Sequence, residues 1–158
     1  MDRILIVYYS RTGTTRMVAE KLAKLLEADI EEIRERKERA GALGFFIGIK
    51  DSILDKPAEL ISTHAVEDKD IVIIGMPVWA DAPPPAIRAF VKQYDLTGKK
   101  IFAFCTHRGS GGEKTFAKLS KMLPEKIIQT LALKSPQRDP ELEEKLKQWA
   151  EQIRSLVE

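Results

Sequence analysis

The sequence predicts an α/β fold in which a doubly wound parallel sheet has helices on both faces. Five short apolar segments alternate along the chain with segments whose apolar residues recur at helical spacing. Parallel neighbouring strands need a crossover connection, usually a helix, so this alternation indicates parallel pairing. The length of 158 residues and the lack of a separating linker or repeat predict one domain over residues 1–158.

Each predicted strand is an apolar run, and the run richest in β-branched residues is the clearest buried strand. The five runs are Ile4–Tyr9, the weaker Ile30–Ile33, the β-branched Asp70–Gly75, Lys100–Cys105 and Ile127–Leu133. The predicted helices between them are Thr15–Glu27, a short helix from Ala86 to Val91 that follows three prolines, and Glu113–Met122. We expect Asp139 to cap a final helix that has Pro140 in its first turn.

The segment from Arg34 to Leu60 interrupts this alternation. Its first part is almost wholly charged, which is typical of a solvated strand end or turn. The part from Gly41 to Ile53 mixes large apolar residues with three glycines. We favour a short helix packed over the sheet edge there, and the alternative is an exposed apolar surface for a partner, a second subunit or a pocket rim.

Composition excludes several classes of function. A hydrophobic fraction of 44% and a charged fraction of 32% are ordinary for a soluble protein, and no apolar run is long enough to span a membrane. The N-terminal residues lack the regions of a signal peptide, so we expect a cytoplasmic location. A single cysteine rules out an internal disulfide and a multi-cysteine metal site. A net charge of +2 is too small to indicate nucleic-acid binding.

The first predicted strand ends in a hydroxyl-rich loop, Ser10–Thr15, and a helical pattern begins at once. Such a junction can bind an anion through backbone N–H groups and the positive end of the helix. Four hydroxyls could donate to phosphate oxygens, and Gly13 allows close backbone approach. The loop lacks the Gly-Lys-Ser/Thr ending of a P-loop, and it also lacks the G-x-G-x-x-G pattern of dinucleotide-binding proteins. A phosphate site is favoured over a plain helix N-cap with nothing bound.

Two further loops follow predicted strands. The first, Met76–Asp81, contains Trp79 just past a strand end, where a large aromatic either stacks on a flat ligand or covers its own core. The second, Thr106–Gly112, has three glycines that expose backbone groups able to bind the polar edge of a ligand. Loops at the carboxyl ends of parallel strands meet at one edge of the sheet, so the three loops predict a single site.

Taken together, these loops resemble the three flavin-binding loops of the flavodoxin family. Ser10–Thr15 matches the family's first loop, Ser/Thr-x-Thr-Gly-x-Thr, with Thr14 in place of the commoner Asn. The resemblance extends from Ile4 to the last helix, and Ile127–Leu133 has no large insertion, as in short-chain members. It implies the strand order 2-1-3-4-5 and non-covalent FMN. The implied cofactor-binding residues are Ser10, Arg11, Thr12, Gly13, Thr14, Thr15, Pro77, Val78, Trp79, Ala80, Thr106, His107, Arg108, Gly109 and Gly112.

No residue is assigned a catalytic or metal-binding role. His107 departs from the family's third-loop patterns, and it could border the flavin or face water. Cys105 is best explained as a buried strand residue. It does not start a phosphatase C-x5-R motif, because Gly111 occupies the arginine position.

Two functional classes remain open. In one the chain is an FMN electron carrier that serves a redox partner protein, and in the other it is an oxidoreductase that passes hydride from a nicotinamide to a quinone, a flavin or a small electrophile. An FMN-binding module that acts through protein contacts is a third, weaker possibility. The carrier is slightly favoured. The slightly positive net charge of the chain differs from that of many electron-carrier flavodoxins, which are strongly acidic. Ala80 stands where these carriers often have glycine, and its Cβ makes a positive φ costlier, so we expect weaker stabilisation of the half-reduced flavin.

Overall fold

A computed structural model describes residues 3–34 and 66–158. Within these ranges the chain forms one five-stranded sheet in the order β2-β1-β3-β4-β5, and every neighbouring pair is parallel. This confirms the predicted order 2-1-3-4-5. The strands are β1 (Ile4–Tyr8), β2 (Asp29–Glu32), β3 (Ile71–Pro77), β4 (Lys100–His107) and β5 (Ile127–Lys134).

Four α-helices and one 3₁₀-helix connect or follow the strands in the described part of the chain. They are α1 (Thr14–Leu26), α2 (Pro85–Gln93), α3 (Gly112–Met122), the 3₁₀-helix Pro136–Arg138, and α4 (Leu142–Val157). Pro85 occupies the first turn of α2, where its fixed φ suits the helix and no intrahelical bond needs its missing N–H.

The sheet separates two apolar cores, so helices cover both of its faces. On one face Val7, Ile74 and Ala103 pack against Phe90 of α2 and Leu119 of α3. On the other face the alternate strand residues pack against Val18 and Leu22 of α1 and Leu146, Trp149 and Ile153 of α4. Residues 71–76 of β3 and 101–106 of β4 are buried throughout, which is why their sequences are continuous apolar runs rather than alternating ones.

The chain enters its last helix later than the sequence indicated. The 3₁₀-helix comes first, and α4 begins only at Leu142, after Glu141 in the N-cap position. Asp139 is therefore not the N-cap of α4. Its carboxylate Oδ1 instead accepts a hydrogen bond from the backbone N–H of Glu141 (2.9 Å), which closes the turn before the helix. The segment Gly41–Ile53 lies outside the described residues.

All five strands run in the same direction, so the loops that follow them open at one edge of the sheet. The loops after β1, β3, β4 and β5 leave this carboxyl edge toward α1, α2, α3 and the 3₁₀-helix. Chain connections from β1 and β3 go to opposite faces, which makes this pair the topological switch point. The candidate site lies at this edge. None of the described helices is long and apolar enough to cross a membrane.

Candidate functional site at the carboxyl edge of the sheet

A cavity of about 670 Å³ opens at the carboxyl edge, within the usual size range of small-molecule sites. Its walls come from the loops after four strands. The lining residues are Ser10, Arg11, Thr12, Thr14, Thr15, Pro77, Val78, Trp79, Thr106, His107, Arg108, Gly109, Ser110, Ser135, Pro136 and Gln137. Two arginines and one imidazole are present, and no carboxylate belongs to the lining formed by the described residues.

The structure brings most of the sequence-predicted site residues together around this cavity. Gly13, Ala80 and Gly112 lie outside the lining. Gly112 is buried in the first turn of α3, where a Cβ would lie 3.2 Å from the Ala132 side chain. Gly13 and Ala80 instead set the backbone path of the two loops that carry their neighbours.

The loop after β1 is shaped by an internal hydrogen bond. The backbone N–H of Gly13 donates to Ser10 Oγ at 3.0 Å, and Gly13 has φ +100°, a conformation that favours glycine. This N–H is therefore used within the loop rather than offered to a ligand. Because Ser10 Oγ accepts that bond, its own O–H proton remains available to donate. Thr14 and Thr15 follow in the first turn of α1, whose N–H groups have no intrahelical partner.

A buried hydroxyl pair joins the first loop to β4. Thr15 Oγ1 and Thr106 Oγ1 are 3.0 Å apart, and both side chains are buried. Only one of the two protons can lie between the oxygens, so the other hydroxyl still has a proton to donate. Both residues line the cavity, and the pair holds the start of α1 over the end of β4.

The loop after β3 contains a tight turn with strained residues. Trp79 and Ala82 exchange two backbone hydrogen bonds of 3.3 and 3.0 Å, while Ala80 and Asp81 have φ values of +52° and +59°. Two consecutive positive φ angles define a type I′ turn, which asparagine and glycine favour. Ala80 thus already adopts the left-handed conformation that its methyl group makes costlier by about 1 kcal/mol.

Trp79 combines the two roles that the sequence left open. Its ring packs edge-on against Tyr9, with the centroids 5.5 Å apart, and belongs to the apolar core on the α2 side. It also lines the cavity, although only 5% of the residue is exposed. The core contact is therefore observed, and stacking on a flavin stays a prediction.

The loops after β3 and β4 come into contact at Gly111. This residue has φ +99° and precedes α3, and a Cβ there would overlap the Asp81 carboxylate. Asp81 is in turn 3.6 Å from the ammonium group of Lys114 on α3. The two loops therefore contact each other at the cavity wall, where Gly111 allows the close approach.

His107 ends β4 and lines the cavity. Burial, and then the nearby charge of Lys134, lowers the pKa of its imidazole. The side chain is therefore neutral near pH 7. Its Nδ1 atom is buried and has no hydrogen-bond partner in the described part of the chain. A buried polar atom of this kind is satisfied in most proteins, so a polar ligand would suit its surroundings.

Some lining residues were not identified from the sequence. Ser135, Pro136 and Gln137 come from the loop after β5 and form a fourth wall. Ser135 has φ +42° and donates its N–H to the carbonyl of His107 at 2.7 Å, which ties this wall to the loop after β4. Sheet topology could have identified this wall, because β5 is parallel to β4 and the loop after it must therefore reach the same edge of the sheet.

Metal and thiol chemistry find no support in the described residues. No group of three or more His, Cys, Asp or Glu side chains converges within residues 3–34 and 66–158. Cys105 is fully buried, and burial raises the pKa of its thiol to about 12. Such a thiol is protonated at neutral pH and is a poor nucleophile. This agrees with the structural role expected for Cys105.

The fold is shared with solved flavoprotein structures. A putative flavoprotein of Bacteroides eggerthii DSM 20697 is 24% identical, and the match covers 96% of this chain and 97% of that chain with a TM-score of 0.78. A flavoprotein of Lactobacillus acidophilus NCFM in complex with FMN is 20% identical, with coverage of 84% and 93% and a TM-score of 0.70. A Fusobacterium nucleatum flavodoxin bound to flavin mononucleotide is 13% identical, with 98% coverage of both chains and a TM-score of 0.63.

At these identities the structural matches establish the fold and nothing finer. No curated protein sequence matches the chain. The family comparison goes further, because the flavodoxin family model matches residues 3–153, nearly the whole chain. The chain therefore belongs to the flavodoxin family.

Proposed function

We propose that this chain binds FMN non-covalently in the carboxyl-edge cavity and carries electrons between redox partners. One observation carries the proposal: the hydroxyl-rich loop at the start of α1 and the loops after β3 and β4 line the same cavity. A phosphate-binding loop by itself is compatible with many ligands. A phosphate-binding loop that shares its cavity with an aromatic wall and a glycine-rich loop suits a flat ring with a phosphate tail. Two structurally similar proteins were solved with such a ligand, FMN.

The first loop would hold the phosphate. Ser10, Thr12 and Thr14 can donate hydroxyl protons, and the N-terminus of α1 adds N–H groups and a partial positive charge. Arg11 would add a full positive charge beside the same oxygens. Hydrogen bonds to a charged group contribute about 1.5–3 kcal/mol each, so this end would supply much of the affinity.

The remaining walls would hold the ring system. Pro77 and Val78 are half-buried apolar residues that exclude water, and Trp79 presents an aromatic surface. Neutral His107 and the backbone of the loop after β4 can bond with the polar edge of the ring. Bound FMN supplies one- and two-electron chemistry, while the protein tunes its potential and controls access to it.

The composition of the described lining is sufficient for a carrier. His107 is its one side chain that titrates near neutral pH, and the pKa of that imidazole is lowered. No described carboxylate or thiol is present in the lining to move protons for a substrate. Electron carriage needs a bound and accessible flavin but no such group.

Flavin titration of the purified apo-chain tests the cofactor assignment. We expect FMN to bind about 100-fold more tightly than riboflavin, which lacks the phosphate, because two or more charged hydrogen bonds are lost. Thr12→Val removes one exposed hydroxyl of the cavity and should weaken FMN binding about tenfold while leaving riboflavin binding unchanged. Thr130→Val is the matched control, since Thr130 is exposed on β5 outside the cavity lining. Equal affinities for the two flavins, or no binding of either, would refute the proposal.

Steady-state kinetics separate a carrier from an oxidoreductase. The FMN-loaded chain is mixed with NADH or NADPH and a quinone, and nicotinamide absorbance is followed. A carrier shows no sustained consumption above the rate of free FMN. Turnover near 10 s⁻¹, a typical enzyme value, would contradict the carrier proposal and favour a nicotinamide-dependent reductase.

A further inference from the structure

Three exposed cations lie around one side of the cavity. Arg108 follows β4, Lys134 ends β5, and Arg138 ends the 3₁₀-helix, directly after the lining residue Gln137. All three are exposed, and none makes an ion pair with a residue in the described ranges. We call these three residues the basic rim. The β4–β5 pairing holds Lys134 close to His107, since the two residues are partners in the register, and Arg108 directly follows His107 in the chain.

Two of the four described carboxylates nearby are paired with lysines that do not belong to the basic rim. Asp81 lies 3.6 Å from the Lys114 ammonium group, and Asp139 lies 2.6 Å from that of Lys145. Glu113 and Glu141 are exposed acids close by along the chain, two carboxylates against the three cations of the basic rim, so the local excess of charge is still positive. The lining itself holds no described carboxylate.

This charge asymmetry is local and does not follow from the overall composition. The whole chain has a net charge of only +2, and residues 35–65 contain five basic and five acidic side chains. A single exposed ion pair contributes little free energy. A cluster of charges of the same sign at a binding surface mainly affects the association rate constant, which it can raise by about 10–10³-fold with a partner of opposite charge.

We propose that the basic rim is the docking surface for an acidic electron-transfer protein. The inference rests on the proposed function, because it places the partner's redox centre against the exposed edge of FMN bound in the cavity. A partner that covers the cavity beside the loops after β4 and β5 would approach Arg108, Lys134 and Arg138, which lie in or next to those loops, and carboxylates on its surface would be attracted to them. A basic partner would be repelled at the same place.

Stopped-flow electron transfer with two protein probes tests this surface. The FMN-loaded chain is reduced, freed of reductant and mixed with acidic plastocyanin or basic cytochrome c. In each reaction one electron leaves the flavin and reduces the copper or the haem iron. Salt is raised from about 10 mM to about 1 M, which shortens the Debye length from about 30 to about 3 Å. We expect the rate constant with plastocyanin to fall at least tenfold, and that with cytochrome c to rise or stay level.

Matched double variants localise the effect. Lys134→Gln with Arg138→Gln removes two charges from the basic rim, and Lys118→Gln with Lys121→Gln removes two exposed charges from the later turns of α3. Neither pair belongs to the proposed cofactor residues. The rim variant should lose most of the salt dependence with plastocyanin, and the α3 variant should keep it.

The outcomes distinguish this inference from the proposed function. Bound flavin is quantified by absorbance before mixing, and a chain without FMN would refute the proposed function. A loaded chain whose rate with plastocyanin rises with salt, or does not change, would refute the docking surface alone. Equal losses of salt dependence in the two double variants would also refute it, because the effect would then come from net charge.

Discussion

Gly111 shows how one residue can set the geometry of the site. Its φ of +99° is disfavoured for any L side chain, and a Cβ there would overlap the carboxylate of Asp81 and lie 2.8 Å from Val78 Cγ1. These neighbours belong to the loop after β3, whereas Gly111 leads into α3. The missing side chain is what allows the two loops to touch at the cavity wall.

Gly111→Ala should therefore destabilise the apo-chain by about 1–2 kcal/mol, which is the cost of the left-handed backbone for an L residue, because the Asp81 carboxylate ends a partly exposed side chain that can move aside. Urea unfolding measures the change. Gly109→Ala is the matched control, because Gly109 has no atoms within 4 Å of the added Cβ and does not have a positive φ. Similar stabilities for the two variants would show that the left-handed backbone carries no such cost.

The packing of the central strands depends on a glycine in β3 that faces a phenylalanine in β4. Gly75 in β3 leaves space for the ring of Phe104 in β4, and these residues are partners in the β3–β4 register. A Cβ on Gly75 would overlap this ring, and even Cε2 would be only 2.9 Å away. Phe104 is fully buried and packs edge-on against Trp149 of α4, so it has little freedom to move.

We expect Gly75→Ala to lower the free energy of unfolding by about 3 kcal/mol or more, because the rigid core around the added methyl group cannot shift to relieve the overlap. Phe104→Leu should cost less, and the double variant should be more stable than the sum of the single losses predicts. A double-mutant cycle in urea gives the coupling, expected at about 1–2 kcal/mol. Additive losses would mean that the ring and the glycine do not depend on each other.

The stability of the whole molecule should depend on pH through the buried thiol. Cys105 has a pKa of about 12 in the folded chain and 9.0 as its ordinary value. Above pH 9 the unfolded chain releases the thiol proton and the folded chain keeps it. The unfolded state then binds fewer protons, so stability falls as the pH rises toward 12.

Comparison of the wild type with Cys105→Ala isolates this effect. One group contributes about 1.4 kcal/mol per pH unit in this window, so near pH 10.5 the wild type should have lost about 2 kcal/mol more than the variant relative to pH 8. The cost of the cavity left by the substitution does not vary with pH and cancels. Parallel stability curves for the two proteins would contradict the buried thiol as the cause.

Much of this site could be predicted from local sequence, since a strand end followed by a hydroxyl-rich or glycine-rich loop is visible within a few residues. The conformation of the Ala80–Asp81 turn could not, because alanine, unlike aspartate, does not favour a positive φ. Their turn is held by bonds between Trp79 and Ala82 and by the pair of Asp81 with Lys114, a residue distant in sequence. The delayed start of α4 was missed for a similar reason: Asp139 is a good capping residue, but its carboxylate bonds to Glu141 and Lys145 instead.

Alternation of apolar strands with amphipathic helices by itself determined the parallel fold, and the loop motifs indicated the family and its cofactor. Both signals are local, because the period of apolar residues and the spacing of hydroxyls and glycines follow from backbone geometry. Tertiary structure decided which walls the cavity has and what charge surrounds it. The wall at Ser135–Gln137 and the basic rim exist because β5 pairs beside β4, an arrangement made by contacts between residues far apart in the chain.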